Sequence, residues 1–197
     1  MSARLLLPSL ILSFLTGCRV LQPVKDDAVL HLLEPLVPDR PLTAARPATA
    51  VKRPALPGYL DRSQLITRAS GELLMSPLDL WAEPLDTSLA QVMASNLSRL
   101  TGSLKIQPVE NFTALDYTEV LELKIAQFDP DPAGTLILQG TWTLQPVTGA
   151  PAPAHFFRIT IPGSPPAEAA PMAQRVPAMN QALEQLARQI APGLDAK

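Results

Sequence analysis

Few side chains in this 197-residue chain could do chemistry, and the first of them is its only cysteine, Cys18. The thiol closes the tetrapeptide Leu15-Thr16-Gly17-Cys18, directly after an apolar run from Leu5 to Phe14 that itself follows Arg4. A cysteine sulfur is the nucleophile suited to taking a diacylglyceryl group as a thioether, and small residues before it leave the peptide bond open to a peptidase. The remaining candidates are His31, His155, Asp129 and Asp131. Neither histidine stands at metal-ligand spacing from a second ligand, and each falls in a segment that reads as a strand. Asp129 and Asp131 flank prolines, too few carboxylates for a calcium site of about six to eight oxygens, and turn formation explains them better. No nucleophile elbow or phosphate-cradling glycine loop is present. The expectation is therefore no catalytic residue, no metal, no cofactor and no enzyme.

The apolar run after Arg4 is about ten residues long, in the range of an export signal and short of the roughly 20 needed to span a bilayer. The tetrapeptide at its end resembles the lipobox of bacterial lipoproteins, in which the cysteine becomes the first mature residue. One acyl chain, at about 0.8 kcal/mol per buried methylene, holds a protein only marginally, whereas two or more anchor it stably. This divides the chain into a signal peptide (1–17), a lipidated N-terminus and short linker (18–27), a folded domain (28–192) and a C-terminal tail (193–197). Arg19 is not the aspartate that favours inner-membrane retention, so an outer-membrane, periplasm-facing address is expected. Asn111-Phe112-Thr113 spells a glycosylation sequon, which has no use in a bacterial lipoprotein.

The elements that must position any site can be read from periodicity and punctuation. Ala28–Leu33 reads as a strand ended by Glu34-Pro35, and Pro35, Pro38, Pro41 and Pro47 mark an irregular loop. Thr49–Lys52 reads as an edge-like strand. Gln64–Ala69 and Glu72–Met75 around Ser70-Gly71 predict a hairpin. A helix is expected over about Pro84 to Leu100, with Pro84 suited to its first position and Gly102 to the C′ position, and its Leu85, Leu89, Val92, Met93, Leu97 and Leu100 share one face, expected to pack on a sheet. Leu104–Ile106 reads as a short strand. Glu119–Gln127, Thr135–Gln145 and His155–Ile161 alternate as an antiparallel meander, with a turn at Asp129–Gly134. A last helix runs from Gln174–Val176 through Val176, Met179, Leu183, Leu186 and Ile190, with Pro192-Gly193 as its expected end. The fold class is thus α/β: a single compact domain with a mixed, mostly antiparallel sheet packed by two main amphipathic helices.

A formal net charge of −2, becoming −3 once Arg4 leaves with the signal, and the lack of a basic block exclude a nucleic-acid-binding class. With one cysteine no intramolecular disulfide can form. Twenty-two prolines require several irregular connections. Two stretches stand out from this background, Leu56-Pro57-Gly58-Tyr59-Leu60-Asp61-Arg62 and Trp81-Ala82-Glu83-Pro84-Leu85. Tyr59 and Trp81 read either as core aromatics or, with Leu60, Asp61, Arg62 and Glu83, as an oligomer or partner interface, where Tyr, Trp and Arg are enriched.

These two stretches, the segment Ala178–Ala191 and the lipobox together resemble the PqiC-like family of ABC-type transport auxiliary lipoprotein components. The resemblance implies an outer-membrane lipoprotein that partners an MCE-domain periplasmic protein in intermembrane lipid transport across a Gram-negative envelope, supporting membrane integrity. It supplies lipidation at Cys18, with palmitate-type acyl chains, and no catalytic residue. Contact with phospholipid and a homo-oligomeric ring are both compatible with such a role. Residues 146–171, rich in Pro and Ala, depart from the family pattern. The residues alone leave open a rival reading, a pilot-like assembly lipoprotein for another envelope machine, and more remotely an anchored hydrolase.

Overall fold

Two β-sheets, rather than one, sit with the two helices in the computed structural model of the chain, which describes residues 27–44, 48–109, 116–163 and 175–195. The lipobox, Arg19, Pro47, the sequon and Gln174 lie outside the described residues. The small sheet has the order β1-β4-β3, built from β1 (Val29–His31), β3 (Gln64–Ala69) and β4 (Glu72–Trp81). The large sheet has the order β5-β2-β6-β7-β8, with β2 (Thr49–Val51), β5 (Ile106–Pro108), β6 (Glu119–Pro130), β7 (Leu136–Pro146) and β8 (His155–Ile161). The helices are α1 (Leu85–Thr101) and α2 (Val176–Asp195). The mixed α/β class, with the predicted hairpin and meander, is what the chain adopts.

Pairing explains the local sequence. Ser70 (φ 49°) and Gly71 (φ 90°) turn the β3–β4 hairpin with two positive φ angles, the geometry that matches strand twist. β4 runs on past Met75, where the second strand of the hairpin was expected to end. Its first half pairs with β3 and its last residues, Asp79–Trp81, pair in parallel with Val29–His31. Ser76-Pro77-Leu78 falls in the gap between those partners, where proline's missing N–H costs no ladder bond. β2 is not an edge strand: it lies between β5 and β6, parallel to both, and all three of its residues are buried. The turn after β6 begins at Asp131, not Asp129, since β6 continues through Asp129 and Pro130. There the Asp131 side chain accepts the Thr135 N–H at 2.8 Å and its carbonyl accepts the Gly134 N–H at 2.9 Å.

The core fills the space between the large sheet and the helices. Leu89, Met93 and Leu97 of α1 meet Leu183, Leu186 and Ile190 of α2 over Leu121, Phe128, Leu136 and Leu138, all of them fully buried. α1 packs on α2 as well as on β2 and β5, a wider contact than the expected helix-on-sheet packing. It ends at Gly102 in a left-handed conformation (φ 71°). α2 does not stop at Pro192-Gly193. A proline that late removes few helical bonds, and buried Leu194 draws the final turn onto the core. The proline-rich loop after β1 is pinned by helix side chains: Asn180 Oδ1 accepts the Glu34 N–H at 3.1 Å and Asn96 Oδ1 the Val37 N–H at 3.2 Å. Among the described residues no helix is long and apolar enough to cross a membrane.

Candidate functional site

Pro57 and Gly58 turn the chain after residue 56, and the Leu60 N–H closes that turn on the Pro57 carbonyl at 2.9 Å. The turn buries Leu60, half-buries Tyr59 and leaves Asp61 and Arg62 exposed. Twenty residues later Trp81 ends β4, only 8 % exposed, its N–H donating to the Ser63 carbonyl at 2.7 Å. The next N–H, of Ala82, donates to the His31 carbonyl at 2.9 Å. Pro84 then precedes α1 at its N-cap, its carbonyl accepting the Thr87 and Ser88 N–H groups at 3.0 and 3.1 Å. These bonds bring the two conspicuous stretches together. They meet in an open cleft of about 350 Å³ with Asp61, Arg62 and Glu83 at its rim and Trp81, Pro84 and Leu85 among its lining. The expected interface residues thus divide: Asp61, Arg62, Trp81 and Glu83 share the cleft, whereas Tyr59 and Leu60 face the core beneath it.

Tyr59 belongs to a buried polar hub that local sequence reading missed. Asp129, 1 % exposed, accepts hydrogen bonds from the Tyr59 hydroxyl at 2.7 Å, from Arg68 Nε and Nη2 at 2.8 and 3.0 Å, and from Gln127 Nε2 at 3.1 Å. The Arg68 guanidinium also lies over the Tyr59 ring, 5.2 Å from its centre. Burial, then the hydrogen bond to Asp129 and that carboxylate's charge, push the Tyr59 phenol up to about 12. The Asp129 carboxylate in turn holds Arg68 more firmly protonated than usual. The hub ties the turn under the cleft to both sheets, since Arg68 is in β3 and Asp129 in β6.

The raised phenol carries a stability prediction. An unfolded tyrosine titrates near 10, so the protonated form is favoured by folding; the contribution is whole below about pH 10 and is lost as pH rises through about 12. Tyr59→Phe should abolish that alkaline component, on the order of 1 kcal/mol after allowing for partial exposure. Urea midpoints measured from pH 8 to 11.5 check it, and an unchanged alkaline slope in the variant would contradict the assignment.

His31 sits in a second polar group. Its Nε2 lies 2.8 Å from Asp79 Oδ1, while the Ser76 hydroxyl donates to Asp79 Oδ2 at 2.6 Å. Burial pushes the Asp79 carboxyl up, but the hydrogen bonds from Ser76 and His31 and the charges of His31 and Arg175 outweigh it and hold the carboxyl below its ordinary value. Serine, histidine and aspartate are all present, yet the carboxylate is in the middle. A nucleophile relay needs the imidazole between hydroxyl and carboxylate, so this trio braces β1 on β4 instead. His155 stacks on Trp142, with ring centres 4.2 Å apart and planes 20° from parallel. Among the described residues no three potential metal ligands cluster.

The cleft thus sets the charged side chains of Asp61, Arg62 and Glu83 beside Trp81, Pro84 and Leu85. The sequence matches the family model for the ABC-type transport auxiliary lipoprotein component over residues 31–191. The chain belongs to this family. Membership implies a lipoprotein that assists an ABC-type transporter. Among solved structures, a protein from Xanthomonas campestris assigned to DUF330 shares 17% identity at a TM-score of 0.64, over 83% of this chain and 93% of its own. An uncharacterized protein shares 19% identity at a TM-score of 0.63, over 83% of this chain and 99% of its own. At such identities the likeness speaks for the fold alone. No curated protein sequence matches this chain.

Proposed function

We propose that this protein is the outer-membrane lipoprotein of an MCE/ABC-type intermembrane lipid transport system, fixed through an acylated Cys18 and facing the periplasm. Its role is non-enzymatic: it docks the MCE-domain partner at the membrane end of the transport bridge and so supports membrane integrity. The observation that carries this reading is the cleft in which Asp61, Arg62, Trp81 and Glu83 converge, in a chain whose family is defined by auxiliary work for a transporter. Charged groups at the mouth orient a partner, and Trp81 with Leu85 supplies the apolar surface that gives affinity.

The test is capture from detergent-solubilised envelopes by the full-length lipoprotein, comparing wild type with Arg62→Glu/Glu83→Lys. Recovery of an MCE-domain protein is expected, falling at least about tenfold in the double variant, as removal of interface hot-spot contacts implies. Capture of secretin-type or other envelope machinery in place of any MCE-domain protein would overturn the function. Undiminished capture by the double variant would move the docking site elsewhere.

A further inference from the structure

The small sheet has an outer face that no other described element covers. Pairing of Leu30 with Leu80 sets these two on the side opposite His31, Asp79 and Trp81, and alternation adds Leu78 and Leu32. Leu30 is 64 % exposed and Leu78 50 %. A contiguous leucine surface of this kind is uncommon on a protein that presents it only to water.

The position of this face in the chain identifies its occupant. Cys18 precedes Val29 by eleven residues, which span at most about 40 Å even when fully extended. The described fold begins with β1, so the leucine face lies where the tether from the anchoring membrane arrives. The wet face of the large sheet is mostly charged, with exposed Glu122, Lys124 and Arg158 around the single exposed ring of Phe156. We propose that the outer leucine face of β1 and β4 rests in the interfacial layer of the phospholipid bilayer that holds Cys18, so that the anchor and the sheet fix the domain's orientation together. This rests on the reading of Cys18 as acylated.

Cys18 is the only cysteine, so in the acylated full-length protein Leu30→Cys, Leu78→Cys and Lys124→Cys each present a single free thiol for an environment-sensitive fluorophore. The labelled proteins are reconstituted in phosphatidylethanolamine–phosphatidylglycerol vesicles with and without doxyl-labelled phospholipid. Labels at 30 and 78 should be quenched at least about twofold by the doxyl lipid, as for groups seated a few ångströms into the headgroup region, and the label at 124 left unquenched. Equal, water-like emission at all three positions, with the Cys18 thioether confirmed by intact mass, overturns the docking while sparing the anchor. Labels at 30 and 78 shielded from iodide yet unquenched by doxyl lipid show the face covered by protein, a second copy included, and also overturn it. An unmodified Cys18 in the mass spectrum defeats the anchor reading itself and this inference with it.

Discussion

Gly140→Ala should destabilise the domain by about 3 kcal/mol, a fall in thermal midpoint of roughly 10 °C for a chain of this size. Gly140 lies in β7 between Ile125 of β6 and Phe157 of β8. A Cβ placed there would meet the Lys124 carbonyl oxygen at 2.1 Å, the Ile125 Cα at 3.1 Å and the Phe157 ring at 3.0 Å. Two of the three obstacles are backbone in the neighbouring strand, so no side-chain rotation relieves the clash. The cause is the register shift between Ile125 and Gln127, which leaves Ala126 as an extra residue in β6 and draws the Lys124 carbonyl across Gly140. The conformation itself is not at issue, because Gly140 has no positive φ. Differential scanning calorimetry measures the effect, and a midpoint within about 2 °C of wild type would show that the strands separate more easily than this packing allows.

Asp129→Asn should cost a comparable amount, about 3 kcal/mol, in urea unfolding. The substitution preserves shape but removes the charge that Arg68 and the Tyr59 hydroxyl address, and places an amide beside donors that have no use for a further donor. Losing one partner of a buried pair typically costs about 3–5 kcal/mol. The lower end applies because Arg68 is 36 % exposed and can turn to water. A double-mutant cycle with Tyr59→Phe should show coupling well above zero, since the phenol donates to that carboxylate. Additive losses would mean that the bond between Tyr59 and Asp129 contributes nothing to stability.

Elements marked by punctuation and sustained periodicity were legible. Pro84, Gly102 and apolar residues at steps of three and four place α1 to within one residue at each end. Alternation through Leu121, Leu123 and Ile125 shows the inner face of β6, but the pattern breaks at Ala126 because the bulge resets which side points inward. Beyond it Asp129 looks like the start of a turn, and only Arg68, 61 residues away, reveals it as buried. β2 shows a related blindness: three buried residues between two parallel neighbours carry no alternation to detect. The cleft was half visible. Each of its stretches announced itself by composition, but their meeting depends on the Trp81 N–H finding the Ser63 carbonyl, a long-range bond with no local signature. The leucine face escaped notice because Leu30 and Leu78 read singly as ordinary strand residues; the parallel β1–β4 pairing makes them one surface.

The placement of β2 also sets a schedule for folding. Thr49 pairs with Ile106 on one side and with Glu119, 70 residues on, at the other. A chain emerging from its N-terminus therefore holds an interior strand of its larger sheet without either neighbour until about half of the domain has appeared. Closing loops of that length slows assembly relative to a fold made of local hairpins. Meanwhile Ala50 and Val51 have no sheet to enter, so the β6–β7–β8 meander, joined by short turns, is the natural template on which the early strands are received last.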